Sequence, residues 1–84
     1  MLSRAKLREL RQAPLDGPNK LKLAIALAET TQIEVAKAVG VAQSQVSEDA
    51  AGKFSELSLQ KARDYAHFFG CELDDLFPDE RAVA

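Results

Sequence analysis

The side chains that most often do covalent or acid–base work are scarce in this sequence. It has one histidine, His67, and one cysteine, Cys71. A single cysteine cannot form an internal disulfide, and one Cys with one His is not a zinc set. Cys71 is therefore read as a small buried hydrophobe, and His67, set among aromatic residues, as a packing or surface residue. The acidic pairs Asp74-Asp75 and Asp79-Glu80 lack the spacing of a calcium loop and read as a solvated rim. No glycine-rich phosphate loop and no nucleophile–base pair is legible. The expectation is a protein that is not an enzyme, with no metal, no cofactor and no small-molecule ligand.

What remains is chemistry of charge and of hydrogen bonding. The formal net charge is −2, from 11 basic and 13 acidic residues, too little bulk charge to hold a nucleic acid by itself. Its distribution is lopsided. Residues 1–23 set Arg4, Lys6, Arg8, Arg11, Lys20 and Lys22 against Glu9 and Asp16, a net +4, whereas residues 24–84 hold 5 bases and 11 acids, a net −6. A basic N-terminal segment can touch an anionic partner or support assembly; a solvated basic helix is the plainer reading.

The elements that position these groups follow from length and punctuation. Eighty-four residues, 46% hydrophobic and 29% charged, make one soluble domain that buries roughly 60% of its unfolded surface. No stretch reaches the ~20 apolar residues of a membrane span, and no secretory h-region opens the chain, so a reducing, cytoplasmic setting is expected. Gly and Pro are sparse, and period-2 alternation is absent, which predicts an all-α fold.

Residues 2–13 read as a basic helix or an arm, broken by Pro14-Leu15-Asp16-Gly17-Pro18, a linker able to let it swing. Leu21, Ala24, Ile25 and Ala28 lay one stripe along a helix from Asn19 to about Glu29. Thr31-Gln32-Ile33-Glu34 is a capping box, with the Thr31 hydroxyl and the Glu34 carboxylate each bonding the other's amide. The helix it opens stops at Gly40. Ala42-Gln43-Ser44-Gln45, bracketed by Val41 and Val46, opens the next helix, which can run to Ala51 before Gly52 ends it. After a linker at 53–57, Ser58 caps a helix to Phe69, and Leu73, Leu76 and Phe77 fit a last short helix that Pro78 ends. Three segments result: residues 1–18 as basic arm or helix with linker, 19–78 as the folded domain, and 79–84 as a frayed tail.

The informative run is Gln32 to Ala51. Ala36, then Gly40, then Val46 have the spacing of a helix-turn-helix: a small residue where two helices approach, a turn, and a core residue of the second helix. Val35, Val39, Val41 and Val46 fill the shared core.

The segments TQIEVAKAVGVAQSQVS and SLQKARDYAHFFGCELDDLFP resemble the Cro/repressor-type (XRE) helix-turn-helix family, typified by lambdoid phage repressors and Cro proteins, over about Asn19 to Pro78. The resemblance implies a five-helix lambda-repressor-like domain, here with the N-terminal basic helix or arm added. It further implies a homodimer on a palindromic double-stranded DNA operator, with the second motif helix in the major groove. On that resemblance Gln32 falls beside a phosphate and braces the recognition helix, and Gln43 falls on the first reading position. Gln43 has the donor and acceptor of a bidentate pair with adenine. Ser44, Gln45, Ser47 and Glu48 fall on the other exposed positions, where Gln45 and Ser47 meet bases or phosphates and Glu48 can accept from a cytosine amine.

Two residues depart from the family pattern. Ala42 replaces a capping Ser or Thr. Asp49 stands at an apolar position, where an unpaired buried carboxylate is costly. Either the helix ends early, or Asp49 faces solvent or finds a base such as Lys53 or Arg63. Glu48 and Asp49 together repel phosphates, and Lys53 or the N-terminal segment is expected to compensate.

The function implied is sequence-specific transcription regulation, repressor or Cro-like, of phage or mobile-element type, with no room in 84 residues for a sensing domain. The alternatives are a CII-like transcriptional activator and a helical protein-interaction module that has lost DNA binding. Dimer contacts are expected from apolar residues left over outside the core, Phe77 or the pair Leu7 and Leu10.

Overall fold

The computed structural model describes residues 1–15, 17–52 and 59–77. Asp16, the linker at 53–57 with Lys53, the cap Ser58, the stop Pro78 and the tail 79–84 lie outside the described residues. Within them the chain is all-helical: α1 (Arg4–Gln12), α2 (Leu21–Leu27), α3 (Gln32–Val39), α4 (Gln43–Ala50), α5 (Leu59–Phe69) and α6 (Leu73–Leu76). The five expected helices follow one N-terminal helix.

That first helix is docked onto the others. Ser3 caps α1, its hydroxyl accepting from the Lys6 amide at 3.2 Å. Leu10 is fully buried and Leu2 nearly so, both within the one core cluster. Polar contacts fix the same helix at both ends. The Leu2 amide donates to the Phe69 carbonyl at 2.9 Å, and the Lys20 ammonium donates to the Leu10 carbonyl at 2.9 Å. Arg11 forks onto Asp75, Nε to Oδ1 at 2.9 Å and Nη2 to Oδ2 at 3.2 Å. A segment held in this way does not swing about its linker. Leu10 and Phe77, expected as spare apolar surface for a dimer, are 0% and 1% exposed; they fill this core instead, and Leu7 is half-buried against it.

The remaining helices bury the stripes their periodicity dictates. Leu21, Ala24 and Ile25 of α2, Val35 and Ala36 of α3, Val46 of α4, and Ala62, Tyr65, Ala66 and Phe69 of α5 share the core with Leu76 and Phe77. Helix α2 ends two residues short of Glu29. Glu29 takes a left-handed conformation, φ 55°. Its amide bonds the Ala26 carbonyl and the Thr30 amide bonds that of Ile25, a Schellman closure made without the usual glycine. In the next cap, half of the expected box forms. Thr31 Oγ1 accepts from the Glu34 amide at 3.2 Å, but the Glu34 carboxylate takes the Thr30 hydroxyl at 2.7 Å in place of the Thr31 amide. Cys71 is half-buried, its thiol pushed up to about 11 by burial and then by Asp75; His67 is exposed.

Candidate nucleic-acid interface

Two helices of eight residues each, α3 and α4, meet across a three-residue turn. Gly40 makes the turn at φ 83° and ψ 35°, a left-handed conformation in which a Cβ crowds the following carbonyl. The Gly40 and Val41 amides both bond the Ala36 carbonyl, at 2.8 and 3.0 Å. Ala36 is 4% exposed at this close approach, and Val35 and Val46 are fully buried beside it. Val39 and Val41 are half-buried. Ala42 precedes α4 in extended conformation with no side-chain cap bond, as its methyl group requires.

This packing gives α4 two faces. Val46 and Asp49 point inward, while Gln43, Ser44, Ser47 and Glu48 are exposed on the opposite side. Gln45 lies between them, half-buried. Gln32 opens α3, half-buried, and lines a groove of about 320 Å³ together with Ser47, Ala50, Asn19 and Lys22. The structure therefore brings Gln32 and Ser47, from the outer face of α4, to one groove that Lys22 also lines. The helix amides at the start of α3 lend this rim the partial positive charge of a helix N-terminus.

Asp49 overturns two of the expectations made for it, and its side-chain partners among the described residues are neutral donors where a base such as Arg63 was expected. Helix α4 does not end early, since it runs on to Ala50, and the Asp49 side chain does not face solvent, being 0% exposed. The Tyr65 hydroxyl donates to Asp49 Oδ2 at 2.5 Å, and the Gln45 amide donates from Nε2 to Oδ1 at 2.8 Å. The Asp49 main-chain carbonyl accepts from Asn19 Nδ2 at 2.8 Å, and Asn19 Oδ1 in turn accepts from the Leu21 amide at 2.9 Å. One polar cluster thus ties the C-terminal half of α4 to the start of α2 and the middle of α5. No buried side-chain nitrogen or oxygen among the described residues is left unsatisfied. Burial, then the bond to Asp49 and the charge of Asp49, drive the Tyr65 phenol far above its ordinary pKa, so Tyr65 stays a donor. Its ring packs at 6.3 Å from Phe77.

The surface consequence is electrostatic. With Asp49 inside, Glu48 is the one carboxylate that α4 exposes. The polar roles of Asn19 and Tyr65 escaped the sequence reading. The signal for Tyr65 was a buried-side carboxylate in need of a donor, but the donor lies 16 residues on.

Comparison with known families decides what this arrangement is. A helix-turn-helix family model matches residues 21–76, from the start of α2 to the end of α6. The chain belongs to the helix-turn-helix family. It is of the Cro/repressor (XRE) type that the Ala36, Gly40 and Val46 spacing resembles, and its family is one of DNA-binding transcription regulators. No curated protein and no solved structure matches the chain. The matched region holds the whole of the α3–α4 motif and the Asp49, Gln45 and Tyr65 side chains, with Asn19 and α1 in front of it. No group of three or more potential metal ligands occurs among the described residues, and no described helix is long and apolar enough to cross a membrane.

Proposed function

We propose that this helix-turn-helix protein is a sequence-specific regulator that lays α4 in the major groove of a double-stranded DNA operator. The observation that carries the reading is the exposed face of Gln43, Ser44, Ser47 and Glu48 on a helix whose other face is locked into the core. Gln43 reads adenine through its paired donor and acceptor. Ser47 and Ser44 bond phosphates or base edges, and Glu48 accepts from a cytosine amine. Gln32 and the first amides of α3 sit against a phosphate, with Lys22 supplying charge at the same rim; Lys53, outside the described residues, is assigned a phosphate contact. One helix reads only a few base pairs, so two copies on a palindrome, about 34 Å apart, supply useful specificity. Repression follows where the operator overlaps a promoter and activation where it lies upstream, and either is exerted in the cytoplasm.

A second reading, a protein-interaction module, is favoured by one observation: α4 itself carries Glu48 and no Lys or Arg. Selection of bound duplexes from a random pool separates the two. An enriched palindromic motif supports the regulator; failure to enrich any motif, with no retention on heparin at low salt, supports the module.

A further inference from the structure

Glutamine is an ambivalent reader of DNA. Its amide offers a donor on one side and an acceptor on the other, and a half-turn about its last bond exchanges them. An exposed glutamine such as Gln43 is free to present whichever atom a base edge demands. Gln45 is not in that situation. It is half-buried, and its Nε2 donates at 2.8 Å to Asp49 Oδ1, four residues along the same helix. A carboxylate accepts and does not donate, so the nitrogen is the only amide atom that can face Asp49. Turning the amide over would set two oxygens against each other beside a fully buried carboxylate.

Asp49 is itself unable to turn away. Tyr65 holds its other oxygen at 2.5 Å, and both side chains are 0% exposed. Asn19 holds its main-chain carbonyl at 2.8 Å. The carboxylate is therefore a fixed reference inside the protein, and the Gln45 amide is aligned against it. With Nε2 committed to Asp49, Oε1 is left as the amide's acceptor for an outside partner, and Gln45 is half-buried between the inner and outer faces of α4.

We infer that Asp49, clamped by Tyr65, is a specificity-determining positioning residue: it orients the Gln45 amide so that Gln45 offers the groove an acceptor. In the major groove the donors that meet an acceptor are the exocyclic amines of adenine N6 and cytosine N4, whereas guanine and thymine present acceptors there. Gln45 accordingly selects A or C on the strand it faces and disfavours G or T. A hydrophobic residue at position 49 would pack α4 as well but leave the Gln45 amide free to turn. The inference rests on the DNA-binding reading above and adds to it which atom Gln45 uses and what sets it.

The test is duplex selection from a random pool with the full chain, for the wild type and for the Gln45→Ala and Asp49→Asn variants, with folding checked by circular dichroism. The wild type is expected to show one position, flattened in Gln45→Ala, that prefers A or C by about 2- to 12-fold, the worth of one hydrogen bond. An asparagine side chain can offer either an oxygen or an amide, so Asp49→Asn should admit G and T at that same position while the position read by Gln43 keeps its preference. A preference for G or T at the Gln45 position, no position altered by Gln45→Ala, or an unaltered preference in folded Asp49→Asn overturns the inference while leaving DNA binding intact. Failure of the wild type to enrich any duplex removes the DNA-binding reading, and the inference with it. If Asp49→Asn does not fold, side-chain amide exchange in the wild type decides. Gln45 Nε2 protons exchanging at least severalfold more slowly than those of Gln43 support the clamp, and equal rates overturn it.

Discussion

Replacing Tyr65 by phenylalanine removes one oxygen from the core and asks what the Asp49 cluster contributes. Tyr65 and Asp49 are both fully buried, and the hydroxyl is the donor to Oδ2, since Gln45 bonds Oδ1. A hydrogen bond to a charged group contributes about 1.5–3 kcal/mol, and a buried acceptor left without its donor adds a desolvation penalty. Phenylalanine keeps the ring that packs on Phe77, so the loss is that of the hydroxyl alone. We expect Tyr65→Phe to destabilise the fold by about 2–3 kcal/mol, which in a domain of this size lowers the melting temperature by roughly 8–24 °C. Urea and thermal melts followed by circular dichroism measure it. The stricter assay is a double-mutant cycle with Asp49→Val. Once the carboxylate is gone the tyrosine hydroxyl has lost its partner, so the double variant should be less destabilised than the two single effects added, by about 1–2 kcal/mol. A Tyr65→Phe protein within about 0.5 kcal/mol of wild type, or strict additivity in the cycle, would refute the claim that this bond holds α4 in place.

Leu10→Ala tests the docking of α1: with Leu10 at 0% exposure it should cost about 2–5 kcal/mol in urea melts, and a stability close to wild type would mean that α1 adds little to the core. Gly40→Ala should cost about 1–2 kcal/mol from the backbone alone, because φ is +83° and no atom beyond its own residue and chain neighbours lies within 4 Å of the added methyl; an unchanged urea midpoint would contradict the turn geometry. The Arg11–Asp75 fork gives an acid limb. Burial raises the Asp75 pKa, but the Arg11 bond, the Glu72 amide and the charges of Arg11 and Lys20 together hold it below the usual 3.8. A carboxyl depressed in the folded state stabilises fully above its unfolded pKa and loses that contribution as pH falls through the folded one. Stability of the wild type should therefore decline more steeply below about pH 4 than that of Asp75→Asn, and parallel acid limbs would remove the fork from the account.

The parts of the fold that were legible in the sequence are those encoded within one or two helical turns. The stripe Leu21, Ala24, Ile25, the Thr31 cap and the stop at Gly40 are local patterns, and each stands where its spacing puts it. The motif's core, Val35, Ala36 and Val46, follows from the same kind of pattern. What escaped depends on partners far along the chain. Asp49 looked like a carboxylate without a home because its donor is on α5. Asp75 and Arg11 are 64 residues apart, so the basic segment, with only a narrow leucine stripe of its own, read as an arm able to swing. The early end of α2 was hidden for another reason: Glu29 occupies a left-handed position that sequence patterns assign to glycine or asparagine. In the candidate site the exposure of Gln43, Ser44, Ser47 and Glu48 follows from periodicity once Val46 faces inward. The inward turn of the Gln45 amide does not, because it is set by a carboxylate whose burial the sequence argued against.

The central claim, that the outer face of α4 meets DNA, is tested most directly by backbone amide shift mapping. The isotope-labelled full chain would be titrated with the duplex enriched by selection, and with a scrambled duplex as control. The largest perturbations are expected at Gln32 and across Gln43 to Glu48, with smaller ones at Lys22, and with α6 and the outer face of α5 unmoved. Perturbations centred on α1 or α6, or a response to the selected duplex no different from that to the scrambled one, would contradict it.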